Sequence, residues 1–382
     1  MMTYRVALYR FTMMLISDSP TLVTFCENLA GAPYIAIDTE FVRERTYYAQ
    51  LALIQVAYGE HAAAIDPLAP GLDLTPLKEL MQDTSILKVF HAGTEDLELL
   101  LQTFDELPAS IYDTQIAAGL CGSEAQIGYA RLVKDRLGIT LDKASQRTDW
   151  ARRPLSDKQL AYALADVTHL CVLYEGLTEE LEARGRTAWA SEEMKALSGA
   201  SRYQANPEEA WRRIRIRRPT RRMLAVLRDL ASWREHKARS RNLPRPWVLK
   251  NDALIQIAQA TPTTREALMQ LSALKRLGRR WRDADRIVDI VKEAIESPQD
   301  TWPTLPEEAN LDGTESLMKA LRKLLNERCE AAAVAPALVA TRRDLERLVG
   351  RADATIPAMS GWRYELFGSV AVDLITARND AN

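Results

Sequence analysis

The sequence predicts an α/β core, a mixed sheet flanked by helices, followed by two all-helical modules. Three observations carry that prediction. Through about residue 180, apolar runs of strand length alternate with segments whose apolar residues recur at helical spacing. Runs ending near residues 37, 90 and 112 are each followed within six residues by carboxylates. Beyond about residue 180 helical stripes dominate, first in a densely basic stretch. A chain of 382 residues has room for two or three such domains.

The first run is Tyr34-Ile-Ala-Ile-Asp-Thr-Glu. Four apolar residues in succession suit a strand buried on both faces. Asp38 and Glu40 lie two apart and project from one face, where one small hard cation can bridge them. Asp-x-Glu also marks ordinary solvated strand ends, so the pair acquires weight only from the acidic residues that later segments bring at helical spacing. Leu51–Ala57 and His61–Ile65 read as two further strands, joined by Tyr58-Gly59-Glu60, on the antiparallel side of the sheet. Leu72–Met81 reads as a helix and Ile86–Phe90 as a buried strand.

His91-Ala-Gly-Thr-Glu-Asp then opens a helix with an apolar stripe of Leu97, Leu100, Leu101 and Phe104. Thr94 is the expected N-cap, which puts Asp96 in the first turn at a strand end; Glu95 and Asp96 also suit the helix dipole there. His91 is a candidate phosphate contact or a structural histidine. Asp113, before Thr-Gln-Ile-Ala-Ala, is expected to cap a helix or to support the ligands from behind. Ser156 and Gln159 form a capping box for a helix carrying Tyr162 and Asp166, about one turn apart on one face.

Trp211–Arg245 holds thirteen Arg and Lys against Asp229 and Glu235, a net +11; the whole chain is −2, so the remainder carries −13. Such asymmetry favours nucleic acid, because neutralised phosphates release counterions. The expected basic patch comprises Arg217, Arg218, Arg221, Arg222, Lys237 and Arg241. Met223, Val226, Leu227 and Leu230 give a helical stripe, Leu243-Pro-Arg-Pro-Trp-Val-Leu breaks it, and helices follow over Asp252–Ala258, Thr264–Leu271 and Trp281–Ile295. Val248-Leu249 before Asp252, Leu254 and Ile257 is echoed by Leu338-Val339 before Asp344, Leu345 and Leu348.

Four cysteines, at 26, 121, 171 and 329, show no Cys-x-x-Cys spacing and suggest neither zinc nor disulfides; a reducing, cytoplasmic setting fits. The amino terminus lacks the apolar core of a signal peptide, and no stretch is long enough to span a membrane. Met13 and Met14 suggest that residues 1–12 are an extension.

In kind, order and spacing, Asp38, Glu40, Asp96, Tyr162 and Asp166 resemble the exonuclease motifs of the DEDD superfamily, tyrosine subclass. Asp38-Thr-Glu-Phe-Val-Arg-Glu-Arg-Thr-Tyr-Tyr, His91-Ala-Gly-Thr-Glu-Asp-Leu-Glu, Arg147-Thr-Asp-Trp and Tyr162-Ala-Leu-Ala-Asp are similar to the ribonuclease D family within it. The basic helices resemble the HRDC module of helicases and ribonuclease D, a nucleic-acid-binding unit. The resemblance implies an RNase H-like exonuclease domain at 13–180, a linker helix at 181–210, an HRDC domain at 211–296, a linker at 297–313 and a second HRDC-like domain at 314–382. It implies metal-dependent 3′–5′ hydrolysis of RNA to 5′-mononucleotides by a monomer, with two Mg²⁺ or Mn²⁺ ions held by the four carboxylates and with water oriented by Tyr162. Precursor transfer RNA with a single-stranded 3′ tail is the expected substrate. Phe41, Gln55, His91 and Trp150 are candidate contacts to its terminal nucleotide. A DNA exonuclease of the same fold and a non-catalytic RNA scaffold are the rival readings.

Overall fold

The computed structural model describes residues 11–142, 148–278, 281–305, 314–350 and 355–379. Most of the proposed extension and Arg147 lie outside them. The described chain divides into two compact units. One comprises residues 1–42, 51–203 and 309–382; the other comprises 43–50 and 204–308.

The first unit begins with a strand that the sequence did not announce, β1 (Thr12–Ile16), whose register pairs Met14 with Ala63. Thr12, assigned to the extension, is therefore part of the sheet. Asp18 then accepts from Thr21 N at 2.9 Å and starts α1 (Ser19–Leu29). The apolar run extends past the carboxylates as β2 (Tyr34–Val42), and β3 (Gln50–Tyr58) and β4 (His61–Ile65) form the expected antiparallel hairpin. Helix α2 spans Thr75–Gln82, not Leu72–Met81. The Asp73 carboxylate takes both the Thr75 N–H at 2.9 Å and its hydroxyl at 2.6 Å, so the turn around Asp73 precedes the helix.

Strand β5 (Leu87–Phe90), α3 (Thr94–Phe104), β6 (Ile111–Asp113), α4 (Thr114–Leu120) and α5 (Tyr129–Leu137) follow. The long α6 (Asp157–Ala183) starts at the Ser156/Gln159 capping box, and α7 (Thr187–Lys195) comes after it. The sheet order is β1-β4-β3-β2-β5-β6. Strands β2, β5 and β6 run parallel, with Tyr34 opposite Leu87 and Phe90 opposite Asp113. Their carboxyl ends therefore share one edge, the edge at which α/β sheets place ligands. Helix α6 packs against β2, β4 and β5 and lays its acidic turn near that edge.

In the second unit, Thr220 caps α8 (Arg221–Ser240), which packs on α10 (Asn251–Ala260) and α12 (Ala284–Glu296); α9 (Arg245–Val248) and α11 (Arg265–Met269) lie between them in the chain. Val226, Leu227, Leu230, Leu254, Ile257, Ile287 and Val291 form its core. Glu235, 1% exposed, binds Arg245 Nε at 2.6 Å and the Tyr47 hydroxyl, while Asn242 Oδ1 accepts from the Tyr47 and Tyr48 amides at 3.1 Å each.

The chain then returns to the first unit as α13 (Glu315–Ala332), α14 (Pro336–Val339), α15 (Arg342–Gly350), α16 (Gly361–Arg363) and α17 (Ser369–Asn379). The echo in the sequence has a backbone counterpart. Helices α9 and α14 each span four residues with proline in the first turn, and each is followed by an extended residue, Leu249 at φ −162° and Ala340 at φ −152°, before the next helix. These helices dock closely on the exonuclease core: Ala335 N donates to Gly119 O at 3.2 Å, and a Cβ at Gly119 would meet Leu338 at 2.6 Å. The Trp362 and Trp189 rings stack with centroids 4.7 Å apart, and Glu193 accepts from Trp362 Nε1 at 2.9 Å and from Arg363 at 2.6 Å.

Removing that anchor by Trp362→Ala should cost about 3–5 kcal/mol. Hydrogen exchange should show α13–α17 losing protection while α8–α12 keep theirs. Uniform loss over both regions would contradict the docking.

Candidate active site

Asp38 and Glu40 leave β2 with the buried run Tyr34–Ile37 behind them. From α6, Asp166 meets them: one carboxylate oxygen from each of the three lies within 4.8 Å of the others. Asp96, in the first turn of α3, is outside that triad but close enough to act on Asp38 and Glu40 electrostatically; its Oδ1 accepts from the Thr39 hydroxyl. Tyr162, one turn before Asp166, is hydrogen-bonded to its carboxylate. A cleft of about 260 Å³ opens beside Tyr162 and Asp166, with Tyr129 in its wall.

Burial is the first influence on these groups and mutual repulsion the second. Burial drives Asp38 well above the ordinary carboxylate range, and Asp96, Asp166 and Glu40 add to the rise. Glu40 is pushed up to about 8 by burial, Asp166 and Asp96. Asp166 rises to about 7 through burial, opposed by the Tyr162 hydrogen bond, and Asp96 to about 6, opposed mainly by Thr39. Tyr162 is raised by burial and by the surrounding carboxylates, so its hydroxyl keeps its proton at neutral pH. An all-oxygen donor set, desolvated and self-repelling, fits a hard divalent cation; nitrogen or sulfur donors are absent from the triad.

Thr94 is not the cap of α3. The position falls to Gly93, with no side chain capping the first turn; the Asp113 carboxylate instead holds the residues just before the helix, accepting from Ala92 N and Gly93 N, both at 3.0 Å, and also accepts from Gln115 N at 2.8 Å. Asp113 thus caps α4 and holds the turn that aims Asp96. Gly93 is required there because a Cβ would sit 2.6 Å from Phe90 Cβ.

Of the four candidate contacts, Phe41 and His91 are partly open to solvent, and Gln55 and Trp150 are buried. His91 uses both ring nitrogens internally, Nδ1 with Thr114 Oγ1 and Nε2 with Ile127 O, each at 3.0 Å, and has none left for phosphate. Gln55 is fully buried in β3 and Trp150 is 2% exposed, its ring 6.1 Å from that of Tyr162; neither presents a face to substrate. In the basic patch, Lys237 is paired with Asp283 and Arg221 donates to Gln299 O at 2.6 Å, whereas Arg217, Arg218, Arg222 and Arg241 stand exposed.

Three supporting residues escaped the sequence reading. Thr39 holds Asp96, the Tyr129 hydroxyl donates to Asp166 O, and Arg153 ties the segment before α6 to Ala52 O at 2.7 Å and to Asp66 at 2.6 Å. Only Arg153 left a trace, as a cation in an otherwise structural Arg-Pro-Leu approach to the capping box.

A 3′–5′ exonuclease family model matches residues 13–182, and an HRDC domain model matches residues 223–291. Ribonuclease D of Sphingobium indicum is 42% identical over 370 residues, covering 95% of each chain. The chain belongs to the ribonuclease D family. Ribonuclease D of Granulibacter bethesdensis is 40% identical over 94% of this chain and 92% of its own. The crystal structure of Escherichia coli RNase D, described as an exoribonuclease involved in structured RNA processing, superposes with a TM-score of 0.81 at 36% identity, covering 96% of this chain and 99% of that one. Membership makes the chain a 3′–5′ exoribonuclease with an acidic divalent-cation site. Among the described residues, no helix is long and apolar enough to cross a membrane.

Raised carboxylates bind protons in the folded protein that the unfolded chain has already released above about pH 4. The metal-free protein should therefore lose stability as pH rises from about 4 through 8, the value of Glu40. Asp38→Asn should raise its melting temperature at pH 8 in EDTA by a few degrees and abolish the further rise that Mg²⁺ gives the wild type. A lower melting temperature for the variant would show that Asp38 is not under this strain.

Proposed function

We propose that the chain removes nucleotides singly from the 3′ end of RNA, with Asp38, Glu40, Asp96 and Asp166 as ligands of two Mg²⁺ or Mn²⁺ ions and Tyr162 as the residue that orients water. The observation that carries the reading is the triad of desolvated carboxylates, with oxygens within 4.8 Å, on the carboxyl edge of the parallel strands beside a protonated tyrosine. Each pair of such charges at 4 Å repels by about 1–4 kcal/mol at effective dielectrics of 80 to 20. A protein that gathers them where phosphate must sit is built to share them with cations. When bound, divalent cations polarise the phosphoryl oxygens and acidify the attacking water.

The chain's own residues do the rest. Asp38 and Glu40 come from a strand fixed by its buried run, and Asp166 is pinned through its backbone carbonyl by Tyr129. The Tyr162 hydroxyl, bonded to Asp166, orients the attacking water and stays protonated. Water oxygen bonds to phosphorus as its proton passes to bulk water, the bond from phosphorus to the 3′-oxygen of the preceding nucleotide breaks with that oxygen taking a proton from solvent, and a 5′-mononucleotide leaves. Phe41 would stack on the terminal base.

Precursor transfer RNA and other small structured RNAs with single-stranded 3′ tails are the proposed substrates. The exposed Arg217, Arg218, Arg222 and Arg241 would grip the folded body. The same reading makes the enzyme a cytoplasmic monomer, in keeping with four buried free thiols.

The test uses 5′-labelled RNA with a structured body and a 3′ tail. Wild type with Mg²⁺ should produce a ladder shortening from the 3′ end. Asp166→Asn should slow it on the order of a thousandfold, and Tyr162→Phe on the order of a hundredfold with binding retained. Equal shortening of a DNA copy would move the assignment to a sugar-indifferent exonuclease; full activity of Asp166→Asn would remove that residue from the site.

A further inference from the structure

His91 follows β5 and commits its two ring nitrogens to two different segments: Nδ1 meets Thr114 Oγ1 at the start of α4, and Nε2 meets the carbonyl of Ile127, each at 3.0 Å. Asp113, one residue before Thr114, holds the amides of Ala92 and Gly93. Under that clamp Ala92 sits at φ 54°, the left-handed region that alanine rarely enters. Such a conformation persists only where the surroundings over-determine it. The turn that leads to Asp96 is therefore fixed, and His91 reaches out from a fixed base.

The partners assign the hydrogens of the ring. A carbonyl only accepts, so the proton lies on Nε2. Burial holds the ring's pKa below its ordinary value, against the pull of Asp113 and of the Ile127 bond, so His91 is neutral at pH 7. Nδ1 then accepts, sharing the Thr114 hydroxyl proton with Phe90 O, 3.0 Å from Oγ1.

Ile127 is 4% exposed, and its carbonyl also takes Gln115 Nε2 at 3.0 Å. Gly128 follows as the N-cap of α5, without a side-chain cap, and Tyr129 is the first residue of that helix. The entry of α5 is thus held through Ile127. The His91 and Tyr129 rings also lie 5.3 Å apart, inclined at 59°. Tyr129 in turn donates its hydroxyl to Asp166 O and walls the cleft beside Tyr162 and Asp166. His91 reaches the tyrosine that holds Asp166 by two routes, the backbone and the ring.

We propose that His91 is a positioning residue: by holding the Ile127 carbonyl and the Tyr129 ring, it fixes the Tyr129 hydroxyl and so the place of Asp166 relative to Asp38, Glu40 and Asp96. One imidazole then joins the turn that presents Asp96 to the helix that presents Asp166, and sets the spacing that a divalent cation needs. The inference rests on the reading of those carboxylates as ion ligands. It keeps His91 off the substrate, so its loss changes the chemical step and ion affinity and leaves RNA affinity alone.

The test uses the full chain. The side-chain amide nitrogen of asparagine replaces Nδ1 and falls short of Ile127, whereas that of glutamine replaces Nε2. His91→Asn should lower kcat on 3′-tailed RNA about tenfold, with KM within about twofold of wild type. Mn²⁺ binding, read by electron paramagnetic resonance without RNA, should weaken about tenfold. His91→Gln should recover most of each loss. In a double-mutant cycle with Tyr129→Phe, the second substitution should add less than about twofold, because both act on one contact to Asp166. Losses that multiply, or a glutamine no better than asparagine, would overturn the proposal. So would a rise in KM alone, which would make His91 a substrate contact.

If His91→Asn melts below the assay temperature in EDTA, Gln115→Ala takes its place. Gln115 is half-buried, and its removal deletes the other side-chain donor to Ile127 O. It should lower kcat at constant KM by a smaller factor and show the same lack of additivity with Tyr129→Phe; unchanged kcat and Mn²⁺ affinity would overturn the proposal. Wild type that shortens no RNA, with Mn²⁺ binding weakened in His91→Asn and restored in His91→Gln, would sink the exoribonuclease reading and leave the positioning role standing.

Discussion

Repulsion among partly and fully buried carboxylates is the constraint on which the first unit depends. Asp38, Glu40, Asp96 and Asp166 are all raised by desolvation, and among the described residues none of them is in an ion pair with a lysine or arginine. A built-in cation would have relieved the strain and closed the site to ions from outside. The fold instead resists the strain mechanically. The strand beneath Asp38 is buried, Asp113 clamps the turn before Asp96, Thr39 restrains its carboxylate and Tyr129 fixes the backbone at Asp166. Neutral donors hold the charges in place without cancelling them.

The division between what was legible in the sequence and what was not tracks the range of the interactions. The carboxylates of β2 and the Tyr162/Asp166 pair are set by two-residue and four-residue spacing, local rules that need no partner. The capping box of α6 is equally local and stands as read. Thr94 looked like a cap because threonine is a good one in isolation; the helix instead starts at Thr94 itself, behind a turn that an aspartate 19 residues later holds through the Ala92 and Gly93 amides. The first strand was missed because a run of five residues acquires strand character only by pairing with β4.

Charge was legible as a sum and illegible by residue. Thirteen cations in one segment announce an electrostatic role, but burial decides which of them face outward. Lys237 and Arg221 are absorbed by Asp283 and by backbone carbonyls, and Arg234 enters the interior of its own unit. Gln55 and Trp150 teach the same lesson from the other side: residue types suited to recognition lie fully enclosed.

Residues 43–50 stand between β2 and β3 in the chain yet belong to the helical unit, where Tyr47 is 6% exposed and bonded to Glu235, Arg239 and Arg245. The boundary between the units is therefore not a point on the sequence. Gene fusion, which shuffles contiguous blocks, could not transplant the basic module onto another exonuclease with its tyrosine included, nor excise the nuclease whole. Once such an insertion is fixed, the two units descend as one heritable part, each constraining which substitutions the other can accept.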